Sequence, residues 1–191
     1  MALAERGTPP LSMSDPQQTY DQIIRPIEDR MIRSIWGIVR NRQDAEDAMQ
    51  DALLIIFKRW DRIRSHPRPQ ALVLRICIDA AYDLTRRTIR ARRVTANGAD
   101  AGQQAGPGPT PAEEAMSVEL YGEILAAIHR LPRRQATAML MRAVQGQPYE
   151  EIAAALGCTE ATVRKHVARS RQQLRGWLAH LDPKNIAGDF S

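Results

Sequence analysis

The side chains of this 191-residue chain that could do chemistry are mostly arginines. Of its 27 basic residues only Lys58, Lys165 and Lys184 are lysines. A guanidinium fork matches phosphate and guanine geometry, so a net charge of +5 made this way leans towards nucleic acid. A GC-rich genome gives the same bias, so the lean is not decisive alone. Residues for catalysis are missing. There is no Gly-rich phosphate loop, no Cys–His arrangement and no carboxylate pair with a pocket of its own, so no enzyme and no cofactor are expected. Cys77 and Cys158 are too few and too far apart for a metal cage, and both are expected as buried, reduced thiols.

The densest basic stretch lies near the C-terminus. From Arg130 to Arg175 there are nine basic residues against three acidic ones, and their spacing puts several on one helix face. Tyr149 to Leu156 reads as a short helix, Gly157 as its left-handed end and Thr159 as the cap of a second helix. Val163, Val167, Ser170 and Leu174 form that helix's inward stripe, and Arg164, Lys165, Ala168, Arg169 and Gln172 face outward. This is a helix-turn-helix with a basic outer face, suited to the major groove. Thr159, Glu160, Thr162, Arg164 and Lys165 are candidate base or phosphate contacts, and Arg169 and Arg171 candidate phosphate contacts. Arg133 and Arg134, after Pro132, are placed to clamp the backbone or to be plain solvated charges. The motif does not say which DNA-binding family is present.

A second cluster is acidic. On a helix from Asp44 to Trp60, with Asp44 as expected N-cap, Glu46, Asp47, Gln50, Asp51 and Leu54 share the outer face. A leucine ringed by polar groups reads as a docking surface or as incidental exposure beside acids that complement the helix dipole. A third cluster follows a largely apolar helix that starts near Pro69. Its narrow polar stripe holds Arg75, Asp79, Tyr82 and Arg86, and residues 86–93 (RRTIRARR) add Arg87 and Arg90. Arginine beside an aromatic ring suits single-stranded or melted DNA. The competing reading has the arginines meeting the helix's own last carbonyls, with Asp83 pairing Arg87 at i, i+4.

The elements that must carry these clusters are all helical. Apolar residues recur with helical period, beginning with Ile27, Met31, Ile35 and Ile38 after Pro26. The expected fold is all-α, with two small helical domains at 18–95 and 113–181. Residues 96–112, with four glycines, three prolines and no large aliphatic side chain, are expected to form a flexible linker. Residues 1–16 and 183–191 are expected as frayed tails. No run of about 18 apolar residues occurs, and Met1 to Pro16 holds Glu5, Asp15 and three prolines, so neither a span nor a secretory leader is expected. The expected location is cytoplasmic.

Together the motifs resemble the ECF-type sigma factors of the sigma-70 family. RNRQDAEDAMQDALLIIFKRW (40–60) is similar to region 2.1–2.2, LVLRICIDAAYDLTRR (72–87) to regions 2.3–2.4, and residues 131–178 to region 4. The resemblance implies that Glu46, Asp47, Gln50 and Asp51 dock on the β′ clamp helices of core RNA polymerase. It implies that Arg75, Asp79, Arg86, Arg87 and Arg90 engage the −10 element as melted strand, and that Thr159 to Arg171 read promoter DNA at −35 as duplex. It also implies control by an anti-sigma factor. Two positions depart from the family: Leu72 where many members have tryptophan, and Asp79 where many have asparagine. An acid facing DNA is repulsive unless paired, and Arg75 at i−4 is the expected partner.

Overall fold

The structure, a computed structural model, describes residues 16–95 and 111–181. The expected linker lies outside these residues except for Pro111 and Ala112, and so do the expected tails except for Pro16. Among the described residues every regular element is helical. In order they are α1 (Pro16–Ile23), a 3-10 turn (Arg25–Ile27), α2 (Glu28–Val39), α3 (Arg42–Lys58), α4 (Trp60–Arg64) and α5 (Pro69–Thr95). Then come α6 (Pro111–Arg130), α7 (Arg133–Ala143), α8 (Tyr149–Leu156), α9 (Glu160–Trp177) and a closing 3-10 turn (Ala179–Leu181).

Local chemistry sets the boundaries, and two differ from expectation. Helix α3 is capped by Asn41, not Asp44. The Asn41 carboxamide oxygen accepts from the Asp44 amide at 2.8 Å, and its NH2 donates to the Asp44 carboxylate at 2.6 Å. Asp44 is thus the third-residue partner of a reciprocal capping pair, one turn beyond the cap. Trp60 belongs to the separate short helix α4, because the chain breaks at Arg59. The helix-turn-helix follows its expected register. Gly157 takes φ +64 and its N–H meets the carbonyls of Ala153 and Ala154, while Thr159 Oγ1 accepts from the Thr162 amide at 3.3 Å. Val163, Val167 and Ser170 are fully buried.

Helix α5 is the spine. Val73, Leu74, Cys77, Ile78 and Ala81 are buried on it, because one side packs along α2 and α3 while another meets α7 and α8. The result is a single continuous core running from Ile23 and Ile24 to Val163 and Val167. The two helical units, expected to hang apart on a slack tether, are therefore packed together in this structure. At the seam Gly37 of α2 lets Val144 approach closely: a Cβ there would sit 2.7 Å from Val144 Cγ1. Both cysteines are free, but only Cys77 is buried as expected; Cys158 is half-exposed in the turn of the helix-turn-helix. Burial pushes the Cys77 thiol up to about 12. At pH 8 an alkylating reagent is therefore expected to label Cys158 quickly and Cys77 only after denaturation, as mass spectrometry of the native protein would show.

Candidate functional site

The three clusters meet different fates. On α3, Glu46, Asp47, Gln50 and Leu54 point to solvent, with Leu54 56% exposed. Phe57, which the sequence reading passed over, is 82% exposed. At 100° per residue Phe57 falls in direction between Glu46 and Gln50, toward the Glu46 edge of this face, and Leu53 lies beside it. The signal was present as spacing from Glu46, but an aromatic residue near a helix end reads by default as core. Asp51 is drawn partly inward, where it accepts from the Arg87 guanidinium on α5 at 2.9 Å. Arg42 pairs with Glu46 at 2.8 Å and its guanidinium is raised by that carboxylate. The face thus sets Leu53, Leu54 and Phe57 beside acids on their N-terminal side, with Lys58 and Arg59 at the other end, an arrangement that a purely solvated helix does not need.

The polar stripe of α5 is covered over Asp79 and Tyr82 and exposed at Arg86. Tyr82 is buried, its ring packed at a tilt against His129 of α6 with centroids 4.4 Å apart. Burial pushes its phenol above the ordinary value, against the pull of Arg86 and Arg133. Asp79 accepts from Arg75 Nε at 3.3 Å, as expected, and also from the buried Thr137 hydroxyl of α7 at 2.9 Å. Arg75 continues across the seam to the Ala155 carbonyl of α8 at 2.7 Å. Arg133, read as a backbone clamp or a solvated charge, here grips both carboxylate oxygens of Asp83 at 2.6 and 2.8 Å, and that hydrogen bonding raises its guanidinium. Asp83 does not pair with Arg87 as one reading had it; Arg133 and Asp51 take those two partners. Arg86 and Arg90 stay exposed. Further ties cross the same seam. The Gln145 NH2 donates to Ser34 Oγ and the Leu74 carbonyl, Arg68 pairs with Glu150 at 2.5 Å, and the Tyr121 hydroxyl donates to the Ile38 carbonyl.

On α9 the expected face is presented. Glu160, Arg164, Lys165, Arg169 and Arg171 are exposed, with Thr159 at the cap and Thr162 half-exposed beside it. Glu160 is not free, since its carboxylate accepts from Arg164 Nε at 3.1 Å and also from Nη2. Arg134 is exposed at the start of α7. Among the described residues no cluster of His, Cys, Asp and Glu could hold a metal, and no helix is long and apolar enough to cross a membrane.

Comparison with known proteins agrees with this division. Residues 23–93 match the family model for Sigma-70 region 2, and residues 121–174 match that for Sigma-70, region 4. SigD of Mycobacterium bovis, an ECF RNA polymerase sigma factor, is 32% identical over 173 residues, covering 89% of this chain and 77% of that protein. The chain belongs to the sigma-70 family, in its ECF group. SigE of Mycolicibacterium smegmatis, another ECF factor, is 30% identical over 161 residues, or 84% of this chain. RfaY of Xanthomonas campestris, a probable sigma factor, is 29% identical over 167 residues, or 85% of this chain. The chain spans 62% and 41% of the lengths of these last two relatives. In family terms, α2 to α5 form region 2 and the helices from Tyr121 on form region 4, with the Asp79 cluster on the seam between them.

Burial ranks the polar ties of this seam. Asp79→Ala strands Arg75 and the buried Thr137 hydroxyl and is expected to cost about 1–3 kcal/mol. Arg133→Gln breaks a half-exposed pair and is expected to cost under about 1 kcal/mol. Urea denaturation of the full chain measures both, and an equal cost would contradict the ranking.

Proposed function

We propose that this chain is a promoter-specificity subunit that binds core RNA polymerase and directs transcription initiation. Its α9 reads the −35 element as duplex and its region 2 captures the melted −10 strand. The observation that carries the reading is the combination, on one chain of this family, of an outward basic recognition helix and an exposed acid-flanked apolar face far from it in sequence. Thr159, Thr162, Arg164 and Lys165 are assigned to base edges and nearby phosphates, and Arg169 and Arg171 to phosphates. Glu46, Asp47, Gln50 and Leu54, now with Phe57 and Leu53, are assigned to the β′ clamp helices. Asp51 belongs to this face with one oxygen committed to Arg87. The two heads on one polymerase make the second DNA contact effectively intramolecular, so weak heads give a selective complex.

Part of the −10 assignment requires motion. Tyr82 and Asp79 are occupied by α6 and α7, so they reach a melted strand only when the two units part. Arg86 and Arg90 are accessible throughout, and Arg87 is half-free. Core polymerase shifts the chain towards the open form only by as much as it binds that form better. In the open form Asp79 retains Arg75, its neighbour on the same helix, which blunts its repulsion of DNA phosphate. An anti-sigma factor belongs to the same proposal. Covering the Leu54–Phe57 face would keep the chain from polymerase, and bracing the seam would keep Tyr82 and Asp79 from a melted strand.

Reconstitution with core polymerase and a promoter library tests the reading. The expected result is sequence-dependent transcription that the chain alone cannot produce, with DNA binding that weakens steeply with salt. Glu46→Lys with Asp47→Lys and Phe57→Ala is expected to abolish core binding while leaving duplex binding intact. Asp51 is left alone because its reversal would set a lysine against Arg87. Sequence-specific duplex binding without any effect on core polymerase would instead describe a free-standing regulator.

A further inference from the structure

One aromatic residue of the helix-turn-helix lies against an arginine of its second helix. Tyr149 is the first residue of α8, half-buried where α7, α8 and α9 converge. Two guanidinium groups lie over its ring. Arg142, from the end of α7, stands 5.0 Å from the ring centroid, and Arg164, from the second turn of α9, stands 4.6 Å from it. Arg142 is itself tethered, donating from Nη1 to the carbonyls of Gly146 at 3.2 Å and Gln147 at 2.8 Å. It therefore serves the turn before α8 and is not offered to a ligand by that edge.

Arg164 is held differently. Glu160, four residues earlier, takes its side edge through Nε and Nη2, and its Cζ lies over the Tyr149 ring. The end edge, with one N–H from each terminal nitrogen, is left over. That is the edge which meets guanine O6 and N7 as a parallel pair. An exposed arginine ordinarily loses much rotamer freedom when it docks on a base, and that cost falls if the free protein already holds the plane.

We propose that Tyr149 is a positioning residue for sequence recognition: its ring orients the Arg164 guanidinium so that one base pair, a G·C, is discriminated in the groove. The proposal rests on the assignment of α9 to duplex reading. Tyr149 acts through Arg164, so its effect is confined to the base pair that Arg164 reads. Its hydroxyl is not required. This separates the proposal from a tyrosine that donates to a DNA phosphate, whose loss weakens all sequences alike.

The test is selection from a library of promoter duplexes randomised across the upstream element, using the full chain bound to core polymerase. Four variants are compared: Tyr149→Phe, Tyr149→Leu, Arg164→Ala and the Tyr149→Leu/Arg164→Ala pair. Leucine keeps an apolar side chain in the half-buried site but removes the π face, and thermal melting confirms that each variant is folded. Tyr149→Phe is expected to keep wild-type preference at every position. Tyr149→Leu is expected to lower discrimination about three- to ten-fold at a single base pair, the range a cation–π contact supports, with the salt dependence unchanged. Arg164→Ala should lose preference at that same pair, and the double variant should lose no more there than Arg164→Ala alone. A loss in Tyr149→Phe, or a uniform loss of affinity in Tyr149→Leu, would overturn the positioning role. If Arg164→Ala leaves the preference untouched, it is the duplex-reading assignment of α9 that has failed instead.

Discussion

The carboxylate of Asp79 is the point on which the arrangement turns. It sits on the long helix that forms the spine of region 2, only 20% exposed, and it is satisfied from both units, by Arg75 of its own helix and by Thr137 of α7. A carboxylate in that position cannot be left without donors, because burying it unpaired costs more than the exposed ion pairs around it supply. It therefore favours the packing of α7 against α5, and the Arg133–Asp83 pair and the Gln145 bridge extend the same seam. Region 4 is in consequence held against the stripe of region 2 that is proposed to face melted DNA.

The two remaining surfaces are unaffected by that closure. The acid-flanked face of α3 looks outward, and so does the basic face of α9. In this state the surfaces proposed for polymerase and for duplex are both exposed, while Tyr82 and Asp79 are covered. Departure from the family at position 79 fits this logic. An asparagine there could donate to a base; an aspartate makes the stronger, charge-assisted contact to the opposite unit.

Much of this was legible in the sequence because it depends on local chemistry. Gly157, Thr159 and the spacing of Val163, Val167 and Ser170 mark the helix-turn-helix in any context, and the Arg75–Asp79 pair is a neighbour relation on one helix turn. What escaped depends on contacts distant in sequence. Asp83 has an i+4 arginine, yet it pairs with Arg133, fifty positions away. Tyr82 looked like an exposed stacking surface until α6 brought His129 over it. Asp44 reads as a cap because the capping asparagine three residues earlier lies in a polar run with no apolar residue to mark the helix start. Nothing local marks the placement of Tyr149, since Arg142 and Arg164 reach its ring from different helices.

The most direct measurement is the separation of the two units before and after polymerase binding. Spin labels at Arg33→Cys on α2 and Gln173→Cys on α9, both exposed positions outside the two proposed contact faces, report it by pulsed electron resonance in a Cys158→Ser background that leaves buried Cys77 in place. A single narrow distance in the free chain that lengthens on binding core polymerase and promoter is the result expected from a closed seam that opens. A broad distribution in the free chain, or a distance that polymerase and promoter leave unchanged, would contradict it.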